Sequence, residues 1–161
     1  MERIDIYTDG SSLGNPGPGG YGIVLKFRNN RKTESQGFQK TTNNRMELLA
    51  VIEALKLLND SARNMEIHIH SDSKYVINAV EKKWVFGWEK KGFKGKANAD
   101  LWRLFLNKYP HYNIKFHWIK GHSGVEENEV CDNLAKKAAE GSKLKIDHGY
   151  IKSQQSRATL L

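Results

Sequence analysis

IDIYTDGSSLGNPGPGGYG, residues 4–22, decides how this chain is read. Ile4, Ile6 and Thr8 alternate with Asp5, Tyr7 and Asp9, which is the two-residue period of a strand. From Gly10 onward the stretch is crowded with Gly and Pro, so a long turn reaching Gly22 is expected to end the strand. Glycine also lets backbone come close to a ligand. Asp9 then stands at the carboxyl end of a strand, on the lip of a loop. Aspartate starts many ordinary turns, so its meaning depends on what else reaches the same place.

Working outward, strands at 21–27 and 32–38 flank the polar turn 28–31 and extend the first strand into an antiparallel meander. The period then changes. In KTTNNRMELLAVIEALKLLN, residues 40–59, Thr41, Thr42 and Asn43 or Asn44 supply caps, and apolar residues from Met46 to Leu58 recur at helical spacing. Glu47 falls on the face of Ala50, Val51, Ala54 and Leu58, an acid among apolar neighbours. The helix dipole alone tolerates an acid there. EIHIHS, residues 66–71, alternates again and runs into Asp72. Strand, helix and strand imply a right-handed crossover that lays the fourth strand parallel to the first. Ligands of such sheets bind outside the carboxyl ends of the strands, where Asp9 and Asp72 would face one crevice.

Residues 73–84 read as a helix, followed by EKKWVFGWEKKGFKGK, residues 81–96, with six Lys against two Glu among Trp84, Phe86, Trp88 and Phe93. Lysines on phosphates and rings against sugars or bases account for that mixture; a local core with lysines outside accounts for it too. A helix at 98–108 ends at Pro110. IKFHWI, residues 114–119, is the fifth strand, and the loop KGHSG presents His122. The last periodic helix covers 126–140, with Asp132 at the edge of its apolar arc beside Ala135 and Ala139, and Gly141 as a cap. The expectation is an α/β domain over 1–141, a mixed five-stranded sheet flanked by helices. Residues 142–161 show no sustained period and read as a polar tail.

The totals narrow the function. With 161 residues the chain suits one domain, and 26 Lys and Arg against 18 Asp and Glu give a formal +8, the footprint of a protein that meets a polyanion. One cysteine, Cys131, cannot form an internal disulfide, MERIDIY lacks a secretory apolar run, and no stretch is apolar enough to span a membrane. A reducing, cytoplasmic setting without membrane association is expected. Against this basic background four acids, Asp9, Glu47, Asp72 and Asp132, are directed toward one end of the sheet. Two carboxylates about 4 Å apart repel by roughly 4 kcal/mol at an effective dielectric near 20, so protons or cations must neutralise the set. Oxygen ligands without a His or Cys framework suit Mg2+ or Mn2+, and a pair of such ions about 3.5 to 4 Å apart serves phosphodiester hydrolysis.

TDGSSLGNPGPGGYG from Thr8, TTNNRMEL from Thr41, SDSKYV from Ser71, the Lys and Trp passage ending in NADLW, WIKGHSG and ENEVCD occur in one order, and in them the chain closely resembles type 1 ribonuclease H. That family cuts the RNA strand of RNA/DNA hybrids. The resemblance implies a ribonuclease H fold, with strands 1, 4 and 5 parallel, and a two-metal-ion endonuclease with little base preference, acting as a monomer. It implies metal-binding roles for Asp9, Glu47, Asp72 and Asp132, and proton transfer or product departure for His122. Asn15, Asn43 and Asn44 match minor-groove and 2′-hydroxyl contacts, by which RNA is told from DNA. Lys40, Thr42 and Asn98 match a grip on a DNA phosphate, and Trp84 and Trp88 lie in the basic protrusion. Lys74 stands where relatives carry glutamine and Lys40 where arginine is frequent, so an ammonium replaces a forked donor at Lys40. Two rivals remain at this level: a non-catalytic hybrid or double-stranded RNA binding module, and a junction-cutting or integrase-like nuclease of the same fold. Four intact acids, which repel phosphate, argue against the first; the two asparagines and the basic aromatic passage argue against the second.

Overall fold

The computed structural model describes residues 1–121 and 123–159. Three strands, β1 (Arg3–Ser12), β2 (Gly17–Phe27) and β3 (Asn30–Thr41), form the meander, and helix α1 (Asn43–Lys56) crosses to β4 (Glu66–Ser71). Helices α2 (Lys74–Glu81), α3 (Trp84–Lys90) and α4 (Ala99–Lys108) precede β5 (Asn113–Trp118), and α5 (Glu126–Glu140), β6 (Leu144–Lys145) and α6 (His148–Thr159) complete the chain. The sheet order is β5-β4-β1-β2-β3-β6. β1 pairs antiparallel with β2 and parallel with β4, which pairs parallel with β5, as the crossover argument requires.

Three differences from the sequence reading have physical causes. Gly10, Ser11 and Ser12 remain in β1, and β2 already begins at Gly17, so much of the expected Gly-rich turn is strand. Those glycines serve close approach instead of turning the chain. A Cβ on Gly20 would stand 2.7 Å from the Ala135 carbonyl oxygen of α5, and one on Gly22 would be 2.8 Å from the Leu134 Cβ. Helix α5 therefore lies with its backbone almost on the sheet. Second, the described part of the expected polar tail, residues 142–159, packs onto the domain. β6 pairs with Gly37 and Phe38 of β3, adding a sixth strand, and Asp147 and Tyr150 are buried. Its anchors are polar and scattered, so no hydrophobic period announces them. Third, the single helix expected over 73–84 ends at Glu81, and α3 restarts after Lys83, whose φ of 62° lies in the left-handed region.

One apolar core fills the space between the sheet and helices α1 and α4. Ile6, Ile23, Ile67 and Ile69 meet Leu48, Val51, Ile52 and Leu55 of α1, with Trp102 and Phe105 of α4 fully buried behind them. This packing sets α1 rigidly over β1. Thr42 caps the helix, its hydroxyl accepting from the Arg45 N–H at 3.3 Å.

Candidate active site

The parallel register of β1 and β4 pairs Tyr7 with His70. Two residues further along come Asp9, which lies three residues before the end of β1 and so does not end the strand as expected, and Asp72, just past β4; the constant offset brings both acids to the same level, beyond the last parallel pair. Glu47 arrives from α1. Gly10 makes that approach possible, because any side chain there would run into the Met46 and Glu47 backbone. The Gly10 N–H lies 2.9 Å from Asp9 Oδ1 and 2.5 Å from Glu47 Oε1, and donates to both. Asp9, Glu47 and Asp72 each offer an oxygen within 4.8 Å of the others, and among the described residues they are the group with metal-binding spacing.

Asp132 stands slightly apart. It lines the same cleft of about 430 Å3 but belongs to α5, where Lys136 one turn on holds it at 3.0 Å. The cleft also includes Ser11, Asn43, Asn44, Lys74 and Tyr75. Ser11 was missed by sequence reasoning, and its hydroxyl is buried without a partner. Lys136 was missed too, although its i,i+4 spacing from Asp132 is visible in the sequence.

The electrostatics follow from crowding. Burial, with further repulsion from Asp72 and Asp132, raises Asp9 from its ordinary 3.8 to about 7, even though hydrogen bonds with Glu47 and Gly10 oppose the rise. Burial and the neighbouring Asp9 push Glu47 well above its ordinary value. A site of this kind holds protons until a cation replaces them. An all-carboxylate donor set with a buried, strained charge balance fits a hard divalent ion.

Around the acids the expected substrate residues divide into exposed and structural groups. Asn43 Oδ1 accepts from the Ser12 N–H at 2.7 Å, and the Asn43 N–H donates to Asn15 Oδ1 at 3.0 Å, so the two asparagines tie the α1 start to the loop after β1. Asn44 is exposed on the rim, as is Lys40 at the end of β3. Thr42 caps α1 through its hydroxyl oxygen, which leaves its O–H free to donate. Asn98, with φ 67°, donates to the Tyr75 hydroxyl at 3.0 Å and accepts from Arg45 at 3.4 Å. Lys74 Nζ sits 4.6 Å from the centre of the exposed Trp118 ring. Trp84 is exposed, with Lys82 over it at 5.2 Å, whereas Trp88 is half-buried edge-on against Trp102. The Lys and Trp passage is thus core and charged surface at once. His122 lies outside the described residues. Its neighbour Gly121 comes so close to Asp72 that an added Cβ would stand 3.1 Å from Oδ2.

Arg45 braces this side of the molecule. Almost fully buried, it donates to Asp100 at 2.8 and 2.9 Å and to Asp147 at 2.8 and 2.9 Å, while Asp147 also accepts from the Thr41 hydroxyl at 2.7 Å. Burial pulls the Arg45 pKa down, and the bonds to Asp100 and Asp147 more than reverse this.

Residues 1–140 match the model of the RNase H family. The chain is 51% identical over 154 residues to the ribonuclease H of Mannheimia succiniciproducens, covering 92% of this chain and 94% of that protein. It is 48% identical over 155 residues to the ribonuclease HI of Haemophilus ducreyi, covering 93% and 98%. Among solved structures it resembles LC9-RNase H1, a type 1 RNase H, with a TM-score of 0.75 at 29% identity over 94% of this chain and 80% of that one. It also resembles LC11-RNase H1 in complex with an RNA/DNA hybrid, with a TM-score of 0.62 at 28% identity over 85% and 96%. With an acidic cluster just beyond the last parallel pair of β1 and β4, a fold that matches these structures and relatives of about half-identical sequence, the chain belongs to the ribonuclease H family, type 1.

Proposed function

We propose that this protein is an endonuclease that hydrolyses the RNA strand of RNA/DNA hybrids with little base-sequence preference, using Mg2+ or Mn2+ held by Asp9, Glu47, Asp72 and Asp132. The observation that carries the reading is the trio Asp9, Glu47 and Asp72, two of them buried, whose oxygens lie within 4.8 Å of one another and which a cation would neutralise in place of protons. Divalent ions held by these four carboxylates would supply charge neutralisation at the scissile phosphate, a more acidic water and stabilisation of the leaving oxygen. The chain's own residues do the rest. Gly10 N–H fixes the orientation of Asp9 and Glu47. Lys136 pairs with Asp132 Oδ2 at 3.0 Å and would compete with a cation for that carboxylate.

Asn15, Asn43 and Asn44 face a minor groove and its 2′-hydroxyls, while Lys40, Thr42 and Asn98 hold a phosphate of the DNA strand. Lys74 contributes an ammonium beside the groove, and Trp84 and Trp88 belong to the protrusion that meets the DNA strand, where exposed Lys82, Lys83, Lys90, Lys91, Lys94 and Lys96 supply the charge. His122 assists proton transfer or product departure. The protein acts as a monomer in the cytoplasm, a setting that suits its free Cys131 thiol.

A hybrid labelled separately on each strand tests the reading. Cuts in the RNA strand that require Mg2+ and vanish with chelator are expected, and Asp9→Asn abolishes them while hybrid binding persists. Full activity of that variant, or tight binding without cuts in Mg2+ or Mn2+, overturns it.

A further inference from the structure

Of the four acids, Asp72 is held least directly. The Gly10 N–H donates to Asp9 and Glu47, and Lys136 pairs with Asp132, but among the described residues no donor bonds the Asp72 carboxylate. Its backbone is held instead. Ser71, the last residue of β4, is the register partner of Trp118 at the end of β5, and the Ile119 N–H donates to the Ser71 carbonyl at 2.9 Å. Asp72 lies one step beyond this ladder, and its carbonyl accepts from Trp118 Nε1 at 3.2 Å. Ser73, which follows, caps α2 through its hydroxyl.

Trp118 does this from an unexpected place. It shares a face of β5 with Ile114 and Phe116, which pack against the apolar core, yet it is itself 49% exposed. Burial of apolar surface therefore does not account for an indole here. The face of its ring carries the Lys74 ammonium, 4.6 Å from the centre. Lys74 opens α2, where the helix dipole disfavours a cation, and among the described residues no carboxylate pairs with it. It lines the cleft together with Asp9, Glu47 and Asp72. The electron-rich face of the ring attracts the ammonium and fixes its place beside the acids.

We propose that Trp118 is a positioning residue that aims Asp72 at the carboxylate cluster through its N–H and holds Lys74 toward the nucleic acid through its ring. The proposal rests on the endonuclease reading above and assigns Trp118 no contact with the reacting atoms. The two roles use different parts of one side chain. Without the N–H the Asp72 carbonyl loses its tie, and the carboxylate, which has no donor among the described residues, is free to leave the cluster. Groups that orient a metal ligand from outside change metal affinity by about tenfold or more when lost; a tie through the backbone acts at one remove, so about a three- to tenfold loss is expected. Without the ring Lys74 keeps its charge but not its place, which corresponds to roughly a two- to fivefold loss of hybrid affinity.

Trp118→Phe keeps an aromatic face and removes the N–H, whereas Trp118→Leu removes both. Mn2+ binding to the full chain without substrate is followed by the electron paramagnetic resonance signal of free Mn2+. RNA/DNA hybrid binding in chelator is followed by fluorescence anisotropy, and circular dichroism checks that each variant is folded. Trp118→Phe is expected to weaken Mn2+ binding about three- to tenfold with hybrid affinity nearly unchanged, and Trp118→Leu to weaken both. Lys74→Gln weakens hybrid binding in the wild-type background and has little further effect beside Trp118→Leu, a coupling that a tryptophan serving stability alone would not produce. Unchanged Mn2+ affinity in Trp118→Phe, or equal effects of Lys74→Gln in both backgrounds, overturns the proposal and leaves the endonuclease reading standing. A wild-type protein that binds Mn2+ but cuts no hybrid overturns that reading, while the two binding measurements still decide the role of Trp118.

Discussion

Replacing Asp9 by asparagine is expected to stabilise the metal-free protein while destroying its activity. Below about pH 4 Asp9 is protonated in both the folded and the unfolded chain, and its burial carries no charge penalty. Between about pH 4 and 7 the unfolded chain releases the proton and the folded chain keeps it, so the stability present at low pH is lost as the pH rises toward 7. Holding the proton to about 7 instead of 3.8 corresponds to about 4 kcal/mol at pH 8, as a ceiling that Glu47 shares. The amide keeps an oxygen for the Gly10 N–H and offers an N–H to Glu47 in place of the proton. The assay is urea unfolding of wild type and Asp9→Asn in chelator at pH 5 and pH 8, repeated with Mg2+. The variant should gain up to about 4 kcal/mol at pH 8, about 8 to 16 °C in Tm, and much less at pH 5. Mg2+ should narrow the gap by stabilising wild type. A variant less stable than wild type in chelator at pH 8, or a gap independent of pH, would refute the reasoning.

Two further substitutions probe the scaffold by chemical denaturation. Arg45→Met strands the buried Asp147 and should cost about 3 to 5 kcal/mol at neutral pH, a loss that Asp147→Asn in the same chain partly restores. Gly22→Ala forces a Cβ into the α5 backbone and should cost about 1 to 3 kcal/mol or more, with Mg2+ affinity falling as Asp132 is lifted; an unchanged midpoint would show that α5 is free to shift.

The site was legible where chemistry broke a pattern. Asp9 and Asp72 closed alternating strands, and Glu47 and Asp132 sat beside apolar helical arcs, so each acid marked itself against its own element. What stayed hidden depends on contacts between distant segments. Gly20 and Gly22 carry the same letters whether they turn a chain or admit a helix, and only the position of α5 tells the two apart. Asp147 looks like one more polar residue of a tail until Arg45 is placed beside it, and Trp88 gave no sign that it leans on Trp102 while Trp84 faces outward.

The brace between Arg45 and Asp147 joins residues 102 positions apart, and the second of them lies beyond the family pattern that ends at 140. During synthesis Arg45 therefore leaves the ribosome long before its last partner exists. Until Asp147 emerges, Asp100 is the carboxylate available to it, and Thr41 lacks the acceptor that ties the end of β3. The corner holding Lys40, Thr42 and Asn98 therefore reaches its final shape only once residue 147 has been made and has folded back.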